Sequence, residues 1–125
     1  MVTRQPEGKL VAKVKDLIRK RGGRVFKIQG DDSSFQEVGI PDLLCCYRGR
    51  FVGLEAKIPG NHPSAKQAAI LDEIADAGGY AAVVTTVGEV SRLLATIDRE
   101  VEHGASSRAD WPRRYNGTRT VSTFR

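Results

Sequence analysis

The apolar positions of the first twenty residues follow a helical period. Between residues 7 and 21 they recur at steps of three and four, the spacing of one helix face. They are Leu10, Val11, Val14, Leu17 and Ile18. A glycine pair, Gly22-Gly23, follows the last of them and is typical of a helix end. The pattern therefore predicts an amphipathic helix over 7–21.

The next part of the chain has the shorter period of strands. Residues 24–29 form a short strand candidate, and residues 30–39 form a polar loop. Two apolar runs follow, at 42–47 and 51–58, joined by Arg48-Gly49-Arg50. This short connection with a central glycine predicts an antiparallel hairpin.

The second half of the chain alternates helix and strand. Ser64 with Gln67, and Thr86 with Glu89, have the three-residue spacing of a capping box and predict two helix starts. Residues 80–85 between these helices read as an apolar strand. The stretch from the third strand to the fourth has the length of a parallel, right-handed crossover.

This order of elements predicts an α/β fold, with a mixed four-stranded sheet flanked by helices in the order αβββαβα. Residues 1–104 are expected to form one domain, because 125 residues leave room for little more. The apolar periodicity ends after Gly104. Residues 105–125 are therefore expected to be a basic extension, either disordered or in contact with a second subunit.

Charge and cysteine content narrow the class of protein. Residues 1–30 carry nine basic and two acidic side chains, and residues 31–102 carry six and twelve. An acidic centre after a basic start suits a cation site in surroundings that attract a polyanion, although solvated helices would look the same. Cys45 and Cys46 are adjacent, too close for an ordinary disulfide. Since no ordinary disulfide can form, the expected setting is a reducing cytoplasm, and the missing apolar run of membrane length excludes a membrane protein.

Three residues around the predicted hairpin carry candidate chemistry. Glu55 and Lys57 are two apart on one strand and project from the same side. Counting symmetrically about Gly49 places Asp42 opposite Ala56, within reach of Glu55 once the strands twist or bulge. Two carboxylates and an ammonium form a hard-oxygen site that suits Mg²⁺.

This ordered set resembles the PD-(D/E)xK nuclease signature. The closer resemblance, over about residues 7–97, is to the virus-type replication-repair nuclease (VRR-NUC) family, of the stand-alone phage or bacterial type. That family has a glutamate in the first helix, a Gly-x-Pro-Asp turn, Glu-x-Lys and a Ser-x-x-Gln helix start. The matching residues here are Glu7, Gly39-Ile40-Pro41-Asp42, Glu55-Ala56-Lys57 and Ser64-Ala65-Lys66-Gln67.

The resemblance implies a restriction-endonuclease-like core and a Mg²⁺- or Mn²⁺-dependent DNA endonuclease, in phage or bacterial replication, recombination or repair. Asp42, Glu55 and Glu7 would hold one or two metal ions, with the Ala56 carbonyl as an extra ligand. Lys57 would act beside the attacking water. The resemblance further implies branched DNA, such as Holliday junctions or flaps, cut by a homodimer.

Each site residue also has a simpler explanation. Glu7 and Gln67 each head an apolar helix face, which points to a common polar site at the edge of the core. Glu7 would equally suit the helix dipole, and Gln67 the capping of its helix. Lys57 alone would suit an edge strand, and Asp42 a turn after proline.

The candidate nucleic-acid contacts are five basic residues: Lys27, Arg48, Arg50, Arg113 and Arg114. Lys27 shares a parity with Gln29 on the first strand, and the next two lie at the hairpin tip, where they suit phosphate contacts. Three other functions stay open: a non-catalytic nucleic-acid-binding module of the same fold, a nuclease of that fold that nicks duplexes or trims ends, and an unrelated interaction protein.

Overall fold

The structure, a computed structural model, describes residues 6–28 and 37–103. Residues 29–36 of the polar loop and the basic extension, with Arg113 and Arg114, lie outside these ranges. In chain order the elements are α1 (Pro6–Lys20), β1 (Arg24–Lys27), β2 (Leu43–Tyr47), β3 (Arg50–Ala56), α2 (Ala65–Asp76), β4 (Tyr80–Val84) and α3 (Val87–Glu102). None of these helices combines the length and apolar character needed to cross a lipid bilayer.

The four strands form one mixed sheet, as the element order predicts. The strand order is β1-β2-β3-β4, with antiparallel pairing of the first three strands and parallel pairing of β3 with β4. The crossover between the parallel strands runs through α2, as expected. The α/β fold class and the αβββαβα order are confirmed.

The two faces of the sheet are covered differently. One face packs against α1 and α3 and forms the main core, with Val14, Val25, Leu54, Tyr80 and Leu94 among its buried members. On the other face, α2 packs over β3 and β4 through a smaller cluster. That cluster contains Leu71, Ala75 and Ala81, with Ile74 and Val83 against it.

The β2–β3 turn is shorter than the sequence analysis expected. Tyr47 pairs with Arg50, so only Arg48 and Gly49 form the turn. Both have positive φ, 50° and 80°, as the tight hairpin turn of this length requires. The expected three-residue connection, Arg48-Gly49-Arg50, is therefore wrong, because Arg50 already belongs to β3.

The shorter turn changes the register around Asp42. Leu43 pairs with Leu54, and continuing the register by one residue places Asp42 opposite Glu55. The expected pairing of Asp42 with Ala56 is thus wrong by one residue. Since a shift of one residue reverses the face of every side chain, the observed register puts the two carboxylates on the same face without a bulge.

Both predicted capping boxes are confirmed. The backbone N–H of Gln67 donates to Ser64 Oγ at 3.1 Å, and the Ser64 N–H donates to Gln67 Oε1 at 2.8 Å. At α3 the Glu89 N–H donates to Thr86 Oγ1 at 3.1 Å, and the Thr86 N–H donates to Glu89 Oε1 at 3.2 Å. These bonds satisfy backbone donors that a helix start otherwise leaves unpaired.

Gly39 brings the segment before Asp42 close to the start of α2. Its φ is +94°, and a Cβ there would lie 2.7 Å from Lys66 Cγ and 3.2 Å from the Lys66 backbone C and O. Backbone atoms cannot move aside as a side-chain end can. Gly39 therefore serves both the turn and the close approach.

We expect Gly39→Ala to destabilise the protein more than Gly60→Ala does. Gly60 has nearly the same φ, +93°, but a Cβ there would meet nothing within 4 Å. Both substitutions strain the backbone by about 1–2 kcal/mol, and only Gly39→Ala adds a steric clash. The free energy of unfolding in urea measures the difference. Equal losses for the two variants would show that Gly39 is not in close contact.

Candidate active site

Asp42 and Glu55 are joined by two hydrogen bonds that cross between the strands. The backbone N–H of Asp42 donates to Glu55 Oε1 at 3.2 Å, and the backbone N–H of Ala56 donates to Asp42 Oδ2 at 3.1 Å. Asp42 lies one residue before β2, and Glu55 is the penultimate residue of β3. Each carboxylate is thus held by the backbone of the neighbouring segment, which fixes both in one place.

Glu55 is buried to an unusual degree for an acid. Glu55 is 1% exposed. Within residues 6–28 and 37–103 it is the only charged residue that is fully buried. Acidic side chains are almost never fully buried unless they are paired. The nearest cation is Lys57, whose Nζ lies 3.4 Å from Glu55 Oε2 and whose side chain is 18% exposed.

The surroundings raise the pKa of the Glu55 carboxyl to about 7. Burial is the largest cause, and the negative charge of Asp42 adds to it. The charge of Lys57 and the hydrogen bond from the Asp42 backbone act in the opposite direction. Near neutral pH, Glu55 therefore changes between its neutral and charged forms, and a bound cation would favour the charged form.

Lys57 is held at the end of the strand by its backbone. Its N–H donates to the carbonyl of Val84, the last residue of β4, at 3.0 Å. The structure thus brings Asp42, Glu55 and Lys57 to one edge of the sheet. Their chemical roles stay predictions.

The structure gives less information on the roles of Glu7 and Gln67 than on Asp42, Glu55 and Lys57. Glu7 and Gln67 are both half-buried. No group of three or more His, Cys, Asp or Glu that could hold a metal is found within residues 6–28 and 37–103. The side-chain carbonyl of Gln67 is used by the capping box. Metal ligation by Glu7 and by the Ala56 carbonyl, and a catalytic role for Gln67, stay predictions.

Lys27 lies away from the carboxylates. It pairs with Leu43, and Leu43 belongs to the main core, so these positions lie on the opposite face of the sheet from Asp42. Its Nζ donates to the Ile28 carbonyl at 3.0 Å. A nucleic-acid contact by Lys27 stays a prediction, and this register puts any such contact on the face opposite the carboxylates.

At the hairpin tip, Arg48 and Tyr47 bind the turn to α3. Arg48 forms ion pairs with Asp98 at 3.1 Å and Glu102 at 3.4 Å, both on α3. Tyr47 donates a hydrogen bond to the same Asp98 carboxylate at 2.8 Å. Arg50 donates to the Arg48 carbonyl at 3.4 Å. The sequence analysis assigned Arg48 and Arg50 to phosphate contacts, and this partnership with α3 is what it missed.

Two aromatic residues near the site were also missed. Phe26 and Phe51 are 51% and 48% exposed, and both lie on the face of the sheet that carries Asp42 and Glu55. The alternation around the buried Val25 could have pointed to Phe26, because neighbours of an inward strand residue face outwards.

A solved structure of a known domain has the same fold as this chain. A structure entitled "VRR_NUC domain" superposes with a TM-score of 0.58 at 24% sequence identity, over 81% of this chain and 99% of that chain. The chain has the fold of a VRR_NUC domain. The match spans nearly all of that domain. No family model and no curated protein matches the sequence.

Glu55 gives the stability a defined pH dependence. In the unfolded chain its pKa has the ordinary value of 4.5, against about 7 in the folded protein. Between these values the folded protein holds the extra proton, so the free energy of unfolding falls as the pH rises through this window. This fall in the free energy of unfolding amounts to at most about 3 kcal/mol. Glu55→Gln removes it, because glutamine has no carboxyl group to ionise.

We therefore expect Glu55→Gln, in metal-free buffer, to gain stability relative to the wild type between pH 5 and pH 8. Urea unfolding at several pH values measures the difference. The exposed Glu73→Gln on α2 is the control and should show no such gain. A difference between Glu55→Gln and the wild type that is independent of pH would contradict the assignment.

Proposed function

We propose that this protein is a metal-dependent DNA endonuclease that hydrolyses phosphodiester bonds. The observation that carries the proposal is the fully buried carboxylate of Glu55, set against Asp42 and Lys57 at one sheet edge. Two acids held together in this way are unfavourable without a cation, and a lysine beside them suits a site that receives an anion. The VRR_NUC fold supports this function.

The donor set fits Mg²⁺ or Mn²⁺. Both ions prefer carboxylate and other oxygen ligands, and Mg²⁺ in particular keeps several waters and phosphate oxygens in its shell. Asp42 and Glu55 would hold the ion, with the Ala56 carbonyl and Glu7 as further candidates. When bound, the metal supplies an acidified water and neutralises charge on the phosphate.

The residues of the chain have separate tasks in this reaction. The backbone N–H groups of Asp42 and Ala56 fix the orientation of the two carboxylates. Lys57 places an ammonium 3.4 Å from Glu55, where it orients the attacking water or stabilises charge that develops on the phosphate. Burial of Glu55 keeps bulk water away from its carboxylate.

The charge distribution supports a nucleic-acid substrate. Exposed basic residues of α1 include Lys9, Lys13 and Arg19. Such a surface attracts a phosphate backbone regardless of base sequence. We propose branched DNA, such as a flap or a Holliday junction, as the substrate and a homodimer as the form that cuts it symmetrically.

Cleavage assays on labelled linear, flap and four-way DNA with Mg²⁺ or Mn²⁺ test the proposal. We expect Asp42→Asn and Glu55→Gln to lower the rate at least about 100-fold, because each removes a charged ligand. EDTA should abolish cleavage. The exposed Asp72→Asn on α2 is the control and should cut at the wild-type rate. Cleavage that survives chelation would reject the mechanism, and tight binding without cleavage under either metal would indicate a non-catalytic binding module.

Metal binding can be measured without turnover. Mn²⁺ should raise the melting temperature of the wild type, because a ligand that binds only the folded state stabilises it. We expect this shift to vanish in Asp42→Asn and to persist in Lys57→Ala, which should lose cleavage only. Measuring Glu7→Gln in the same way decides whether that residue is a ligand. Loss of the shift in Lys57→Ala, with Asp42→Asn unaffected, would overturn the assigned roles.

A further inference from the structure

The face of the sheet that carries Asp42 and Glu55 is only partly covered by described residues. There, α2 packs over β3 and β4, where Ile74 and Leu71 meet Ala81 and Val83. Over β1, β2 and the hairpin end of β3, the side chains of this face are exposed, except for the half-buried Leu44. Phe26 and Phe51 are about half exposed there, and Cys46 is also exposed.

We call this open area the aromatic face. The register defines it, because residues paired across antiparallel strands lie on the same side of a sheet. One row runs across the strands through Arg24, Cys46 and Phe51, and the next runs through Phe26 and Leu44. The aromatic face consists of Arg24, Phe26, Leu44, Cys46 and Phe51.

The aromatic face runs directly up to the carboxylates. Leu44, beside Phe26, is two residues from Asp42 along β2, a distance of about 7 Å. Phe51 is four residues from Glu55 along β3, or about 13 Å. A strand with one phosphate at Asp42 and Glu55 that runs along β2 and β3 would have its neighbouring nucleotides over the aromatic face.

We propose that the aromatic face seats unpaired bases of the DNA strand whose phosphate lies at Asp42 and Glu55. This inference rests on the proposed function and adds the part of the substrate that is recognised. Exposed aromatic rings stack on bases of any sequence, which only an unpaired strand presents. The Arg24 guanidinium lies over the Phe26 ring, 4.3 Å from its centre, and is itself a planar cation on which a base can stack.

Charge argues for a nucleic-acid strand over other occupants. Within the described strand residues and Lys57, the charged positions on this side outside the Asp42–Glu55 pair are Arg24 and Lys57, and both are cationic. The basic extension carries five arginines against one aspartate between residues 105 and 125, so it would meet like charge. A second copy of the same face would bring a second Arg24 cation into the interface. A phosphate backbone carries the complementary charge.

Binding of DNA in EDTA tests the stacking without cleavage. The probes are a short oligothymidylate, an abasic strand of equal length and a blunt duplex, each measured by fluorescence anisotropy. We expect Phe26→Ala and Phe51→Ala each to weaken oligothymidylate binding about tenfold, with little effect on the other two probes. Phe51→Trp should keep the affinity, whereas Phe51→Leu, which keeps apolar surface without a ring, should lose it.

Arg24, the charged residue of the aromatic face, can be tested against a matched control. Arg24→Gln should weaken oligothymidylate binding, whereas Arg99→Gln, an exposed arginine on α3, should not. Melting temperatures of all variants show whether the fold is kept. Unchanged oligothymidylate affinity in folded Phe26→Ala and Phe51→Ala would overturn the proposal.

Cys46 offers a second, independent measurement. It lies in the row of Arg24 and Phe51 and is exposed, whereas Cys45 is buried and its thiol pKa is raised to about 12 by burial and by the neighbouring Cys46. A maleimide should therefore react at Cys46 alone. We expect oligothymidylate to slow this reaction and the abasic strand to slow it much less.

The outcomes separate failure of this proposal from failure of the proposed function. If the wild type cleaves DNA but oligothymidylate and the abasic strand protect Cys46 equally, the base-stacking role of the aromatic face is overturned and the nuclease function is not. Selective protection without cleavage under any metal would support the aromatic face and reject the nuclease. A Cys46 that is unreactive without DNA would also overturn the proposal. If dilution restored its reactivity the occupant would be a second copy, and otherwise a segment of the same chain.

Discussion

The structure depends most on a carboxylate buried directly opposite a second carboxylate. Glu55 is 1% exposed, and its partner Asp42 carries the same charge. Such a pair persists only because backbone N–H groups bind both side chains and Lys57 lies beside them. The two adjacent carboxylates destabilise the metal-free fold, and the same two carboxylates suit the binding of a divalent cation. Stability and function therefore place opposite demands on this pair.

The hairpin decides whether this pair exists at all. A turn of two residues, Arg48 and Gly49, sets the register that places Asp42 opposite Glu55. The far end of the hairpin is fixed to α3 through Tyr47 and Arg48, which share Asp98. A slip of one residue would turn Asp42 to the other face. The contacts at the tip therefore support the geometry of the site about five residues away.

Uneven covering of the sheet gives the site its surroundings. Gly53 has no side chain, and a Cβ there would lie 2.9 Å from Ile74 Cδ1 and 3.4 Å from Pro41 Cγ. The missing side chain lets α2 and the segment before Asp42 pack closely on β3. The strands beyond α2 keep an open face with aromatic side chains, so one sheet surface combines a buried acid pair with an accessible platform.

The sequence by itself determined the elements and their order, because helix and strand periods, glycine pairs and the capping boxes at Ser64 and Thr86 are local signals. It also placed Glu55 and Lys57 on one side of a strand, since alternation is a property of the backbone. Only the tertiary structure decided that Asp42 faces Glu55, that Arg48 binds α3, and that α2 packs over β3 and β4 and leaves the outward-facing Phe26 exposed. These depend on turn geometry and on packing between segments distant in the chain, which no local pattern encodes.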